Sequence, residues 1–164
     1  MKRNRAYEWE DPLPGFEQGK AMSGLDYMKA LAAGRLPRPP IARTLNFTLV
    51  EVEAGRAVFE GWPEEFHYNP IGGVHGGFAA TLLDSALGCA VHTTLPQGTA
   101  YTTLQLNVNF VRAISTETGM LRCEARVIHQ GRQMATAEAA LTDADGKLYA
   151  HGTTTCLIFP VASR

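Results

Sequence analysis

Apolar and polar positions along the chain change their period twice. SGLDYMKALAAG, residues 23–34, sets Leu25, Met28 and Leu31 or Ala32 on one face at helical spacing. Ser23 stands as its cap with Asp26 three residues on, and Gly34 closes it. Residues 1 to about 20 are polar, with Pro12, Pro14 and Gly15, and read as a loose arm. LPRPP, residues 36–40, is a stiff connector that cannot continue a helix. From Phe47 the period drops to two. Phe47, Leu49, Glu51 and Glu53 alternate with Thr48, Val50 and Val52, AGR (54–56) turns, and AVFEGW resumes an extended pattern, a hairpin. From Gly76 to His92 the helical period returns. Phe78, Ala79, Leu82, Leu83, Ala86, Leu87 and Ala90 cover most of that helix. LPQG, residues 95–98, ends it.

The remainder alternates. In TTLQLNVNF, Leu104, Leu106, Val108 and Phe110 fall on one side and Thr103, Gln105, Asn107 and Asn109 on the other. This places Thr103 on the polar face, away from the helix. MLRCEARVIH, QMATAEAALT and KLYAHGTTTCLIF add three strands, separated by turns at QGR (130–132) and DADG (143–146). One greasy helix among strands can bury its surface only if a sheet wraps it. The expected class is α+β, a curved antiparallel sheet around one long central helix, with an N-terminal helical extension. The expected division is residues 1–40 for the arm and short helix, and 41–160 for the sheet-and-helix domain.

The chain has 164 residues, enough for one domain with a real core. A formal charge of −1 argues against a broad electrostatic grip on nucleic acid or membrane, so any anion must be held by a local cluster. Cys89, Cys123 and Cys156 form no CxxC and read as buried, reduced thiols. The charged N-terminus has no apolar signal core, and no run approaches a membrane span; a cytoplasmic protein is expected.

The unusual stretch is HYNPIGGVHGG, residues 67–77, with Asp84 behind it. Gly76 and Gly77 open the central helix, where unpartnered N–H groups and the dipole favour an anion or oxyanion. A plain tight turn would use the same glycines. No Lys-Ser/Thr follows them, so this is no nucleotide P-loop, and there is no GxSxG elbow. His67, His75 and Asp84 fit no standard metal-ligand spacing, so no metal is expected. Asp84 is a poor mid-helix residue and costly to bury alone. Either it faces solvent or it has partners and a task. Gly76 and Asp84 stand about 12 Å apart along one helix axis at 1.5 Å per residue. If both serve one reaction, the acid must come from a second subunit, and a two-fold dimer with antiparallel helices supplies two such sites.

The pattern Asn69, Gly72, His75, Gly76, Gly77 and Asp84 resembles the hotdog-fold acyl-CoA thioesterases of the phenylacetate-degradation and 4-hydroxybenzoyl-CoA thioesterase type. The resemblance covers roughly residues 41–160. It implies hydrolysis of an acyl-CoA to a carboxylate and free CoA, with no cofactor beyond the CoA of the substrate. The Gly76 N–H would polarise the carbonyl, and Asp84 of the partner chain would act as base or nucleophile. Asn69 would position water or carbonyl, unless it simply forms an Asx-turn, and His75 would support the loop. Gly77 and a strand hydroxyl, Thr102 or Thr103, would line the substrate, and Arg112 and Arg132 would hold the CoA phosphates. The resemblance further implies an obligate homodimer, or a dimer of dimers. Some relatives carry a hydroxyl one turn after the acid, where this chain has Gly88. A non-catalytic acyl-CoA or acyl-carrier binder and a hotdog acyl hydratase are the alternatives.

Overall fold

The computed structural model describes residues 1–161. Three short helices precede the sheet: α1 (Pro12–Gly19), α2 (Gly24–Ala32) and α3 (Pro40–Thr44). The expected loose arm is therefore partly helical. Asp11 caps α1 by accepting from the Leu13 N–H at 2.9 Å. Pro12 and Pro14 fall in its first turn, where proline removes no helical hydrogen bond. The same rule turns the last proline of LPRPP into the first residue of α3. Ser23 caps α2 through the Asp26 N–H, as its spacing predicts.

The hairpin is β1 (Phe47–Glu53) and β2 (Arg56–Gly61), turned by Gly55 at φ 75°. The long helix α4 spans Gly76–His92. β3 (Thr99–Phe110), β4 (Leu121–Gln130), β5 (Met134–Asp143) and β6 (Leu148–Pro160) follow. The six strands form one antiparallel sheet in the order β1-β2-β4-β5-β6-β3. It wraps α4, burying Phe78, Leu82, Leu83, Leu87 and Val91. Each such side chain contributes roughly 1.5–3 kcal/mol of transfer free energy. Ala125 of β4 and Ala135, Ala137 and Ala139 of β5 face inward, and their small size lets the helix lie close.

The alternation expected across β3 fails at Leu104. A β-bulge between Thr103 and Gln105 sets Thr103 opposite buried Cys156, then resumes with Leu106 opposite buried Thr154. One extra residue flips the faces. Tyr101 and Thr103 thus point at the helix, and Leu104 is left 57% exposed. Cys123 and Cys156 are buried, Cys89 is partly so, and all three are free thiols.

The first forty residues are fastened to this frame. The Gly24 N–H donates to the Leu95 carbonyl at 3.0 Å, and the Arg5 guanidinium donates to the carbonyls of Arg43 and Thr44. Among the described residues, no helix is long and apolar enough to cross a membrane.

Candidate active site

The loop before α4 is held by its own polar groups. The Asn69 side-chain oxygen accepts from the N–H groups of Ile71 (3.1 Å) and Gly73 (3.2 Å), an Asx-turn that closes the loop. The Asn69 N–H donates to Gly73 O, and the His75 N–H to His67 O, both at 2.8 Å. The loop therefore enters the helix along a defined path.

His75 is the N-cap of α4. Its Nδ1 accepts the Gly77 N–H at 2.8 Å, and its carbonyl accepts the Phe78 N–H at 3.0 Å. Gly76 alone of these three keeps an N–H with no acceptor among the described residues. A Cβ on Gly77 would sit 2.9 Å from His75 Nδ1, so that glycine serves the cap. Beside Gly76 lies the ring of Phe110, 3.2 Å from where a Cβ would be. The sequence-predicted close-approach pair thus divides: Gly76 offers a donor, while Gly77 has spent its own.

Asp84 is half-buried two turns further on. Thr103 Oγ1 donates to Asp84 Oδ1 at 3.1 Å, which the polar-face reading of Thr103 did not foresee. Thr102, its neighbour, is exposed opposite Leu157 and faces away from the helix. One turn after the acid, where some members of the resembled family carry a hydroxyl, Gly88 receives the Tyr101 ring. A Cβ there would meet Tyr101 Cε2 at 2.8 Å. Tyr101 escaped the sequence reading, although it lies two residues from Thr103 on the same strand face.

Asp84 lines a cavity of about 520 Å³ between the α4 face that the sheet leaves uncovered and the N-terminal helices. Half of its lining residues come from Phe16 to Ala42, so the segment before the sheet forms its roof. Tyr27, His92 and Tyr101 make an aromatic wall, with centroid separations of 5.5 and 5.6 Å. Burial raises the Tyr101 hydroxyl well above its ordinary range, with Cys89, Cys156 and Asp84 adding to it, and burial lowers the His92 imidazole. Burial, then the Asp84 charge, pushes the Cys89 thiol up to about 12, so it is no thiolate nucleophile at neutral pH. These groups present an uncharged wall beside one carboxylate.

His67 lies buried between Phe66 and Phe78, at 4.3 and 4.4 Å. Among the described residues, no group of three or more His, Cys, Asp or Glu is arranged to hold a metal. Arg112 and Arg132 are exposed. Arg112 follows Phe110, beside the start of α4. The turn holding Arg132 is anchored near the end of α4 by Gln130 Nε2 on Thr94 O, 3.5 Å. One chain does not bring these two arginines together.

The Thioesterase superfamily profile matches residues 71–150, which hold the glycines, α4 with Asp84, and β3 to β5. Human acyl-coenzyme A thioesterase 13 is 33% identical over 108 residues, 65% of this chain and 76% of that one. Among solved structures, a phenylacetic acid degradation-related protein from Ralstonia eutropha JMP134 aligns with TM-score 0.72 and 33% identity, over 80% of this chain and 98% of that one. A Streptococcus mutans protein bound to acetyl CoA aligns with TM-score 0.64 and 25% identity, over 72% and 92%. With a six-stranded antiparallel sheet wrapped around α4, the chain belongs to the thioesterase superfamily and carries its hotdog fold.

Proposed function

We propose that the protein hydrolyses an acyl-CoA thioester to a carboxylate and free CoA, at sites shared between two copies of the chain. The observation that carries this reading is the division of polar groups along α4. A free donor stands at its first residue and a hydroxyl-bonded carboxylate about 12 Å further along the axis. One carbonyl cannot meet both within one chain.

The edge strand supports the dimer. β3 is twelve residues long and has β6 as its sheet neighbour on one side only. Leu104, Phe110 and Val111 are exposed along or just past it. An open edge of this length is a template for pairing. Pairing β3 with the β3 of a second copy about a two-fold axis sets the two α4 helices antiparallel. The start of one helix, with Gly76 and Arg112, then lies toward the end of the other, with Arg132. The two exposed arginines so brought to one end suit the phosphates of one CoA.

In this site the Gly76 N–H donates to the thioester oxygen, where negative charge develops in the transition state. Thr103 holds Asp84 Oδ1, leaving Oδ2 to accept a proton from water as that water attacks the carbonyl carbon. The C–S bond breaks, the CoA sulfur leaves as thiolate and takes up the proton held by Asp84, and the carboxylic acid, which keeps water's second proton, releases it to solvent as it ionises to the carboxylate. The acyl group occupies the cavity beside Asp84. Asn69 and His75 act one step away, by fixing the loop and leaving Gly76 as the free donor.

The test is Asp84→Asn in a folded protein, assayed by thiol release against a broad panel of acyl-CoAs. Hydrolysis should fall by about 10²–10⁴, the range of a lost general base. Wild-type rates on every substrate would sink the mechanism. Single turnover in labelled water separates base from nucleophile: label appearing first in the product carboxylate supports the base.

A further inference from the structure

Three arginines of the described chain are buried or partly buried, and two of them are matched by carboxylates, Arg122 by Glu51 at 2.7 Å. Arg56 is matched by Glu51 (2.7 Å), Glu124 (2.9 Å) and Glu53 (3.0 Å). Arg38 lines the cavity that holds Asp84 and has no carboxylate partner among the described residues. One Nη donates to the Phe47 carbonyl at 2.6 Å; its Nε is buried with no acceptor, as is that of Arg56, so the missing carboxylate is what sets Arg38 apart. Burial lowers its pKa, and the charge of Arg43, another cation, acts in the same direction. A guanidinium has five donors and cannot shed its charge at neutral pH. Holding one half-buried without a counter-charge is costly unless something supplies the anion.

Its surroundings make the position deliberate. Arg38 sits in Leu36-Pro37-Arg38-Pro39-Pro40, whose prolines restrict the backbone before the ligand arrives. Apolar groups surround it on the cavity wall, among them Met28, Leu31, Phe47 and Phe59. CoA phosphates are strongly hydrated and suit exposed cations such as Arg112 and Arg132. A cation inside an apolar cavity suits a single small anion delivered with the acyl group.

We propose that Arg38 reads a carboxylate at the far end of the acyl group, so that the preferred substrate is the CoA half-thioester of a dicarboxylic acid. This rests on the hydrolase reading above and names its substrate class. The fit is electrostatic as well as steric. A second carboxylate entering a cavity that already holds Asp84 would be repelled, and Arg38 offsets that repulsion. A bidentate pair with the guanidinium fork also fixes the depth of the acyl chain, and with it the position of the carbonyl.

The experiment compares kcat/KM for ω-carboxyacyl-CoAs of four to eight carbons with alkyl acyl-CoAs of equal length, in wild type, Arg38→Lys and Arg38→Met. Wild type should favour the carboxylates. In Arg38→Met the ratio of carboxylate to alkyl substrate should fall by about thirtyfold, or roughly 2 kcal/mol at 1.4 kcal/mol per decade. Arg38→Lys keeps the charge without the fork and should fall between the two, which guards against a folding defect in the methionine variant. A wild-type preference for alkyl chains, or a ratio unchanged by either substitution, overturns the proposal. The same panel as pantetheine thioesters, which lack the nucleotide phosphates, separates the sources of anion. If Arg38→Met slows all CoA thioesters equally but spares the pantetheine esters, Arg38 holds a CoA phosphate and the proposal is wrong. If wild type hydrolyses nothing, the hydrolase reading fails. The same ratio of affinities for intact thioesters, by calorimetry, then decides Arg38 on its own.

Discussion

Replacing Gly76 by proline isolates one hydrogen on one nitrogen. Gly76 is the first residue of α4, the position proline tolerates best in a helix. The residue before a proline must be extended, and His75 already sits at φ −62°, ψ 136°. The Gly76 N–H meets no acceptor among the described residues, so the folded chain loses no internal bond. The new Cβ would approach the Phe110 ring at 3.2 Å, a contact that Gly76→Ala makes equally and so controls for. Stability should therefore change little. Activity should not survive. Loss of one oxyanion donor costs about 10²–10³ in kcat, or roughly 3–4 kcal/mol of transition-state stabilisation. Gly76→Ala carries the same Cβ and keeps the N–H, so it should stay within about tenfold of wild type by comparison. The assay is steady-state thiol release, with thermal melting to verify folding. Equal kcat in the proline and alanine variants would refute the role given to this amide.

Three further outcomes follow from the same geometry. Thr103→Val removes the hydroxyl that holds Asp84 Oδ1; hydrogen bonds to charged groups contribute about 1.5–3 kcal/mol, so kcat should fall by about one to two decades. Unchanged kcat would free Asp84 from that contact. Gly88→Ala forces a Cβ to within 2.8 Å of the Tyr101 ring and should cost about 1–3 kcal/mol, read as a lower melting temperature. An unshifted melt would show that Tyr101 yields freely. For His67, burial first and the Arg5 charge second hold the pKa down to about 4. The unfolded imidazole titrates near 6.5. Between those values the unfolded chain binds a proton that the native chain refuses, so stability drops as pH falls through that window. The loss should be about 1–3 kcal/mol after allowance for solvent screening. His67→Gln should flatten that part of the stability curve, and an unaltered slope would acquit His67.

The parts of the fold written in long periods were legible in the chain. Burial on most sides of α4 demands the apolar coverage from Phe78 to Ala90, and half-buried strands demand alternation, so both announce themselves. The misreadings came where a single residue changes the frame. The bulge at Leu104 leaves the letters alternating while the side chains do not, and it alone decides that Thr103 meets Asp84. Prolines at the first turn of α1 and α3 look like breakers and act as starters. The glycine pair was legible as the opening of α4. That His75 would claim the Gly77 amide and leave Gly76 depends on the cap geometry, which no spacing encodes. Arg38 is silent for another reason. Its distinction is the lack of a carboxylate partner among the described residues, and that emerges only when the N-terminal helices close over α4.

The most direct test of the shared site is complementation between two inactive variants. Asp84→Asn keeps Gly76, and Gly76→Pro keeps Asp84. Each alone should be inactive. Mixed one to one and allowed to exchange subunits, half of the dimers become heterodimers, each with one of its two sites intact. The account expects recovery of about one quarter of wild-type activity. No recovery in a mixture shown by mass to contain the heterodimer would place both residues in one chain's site and contradict it.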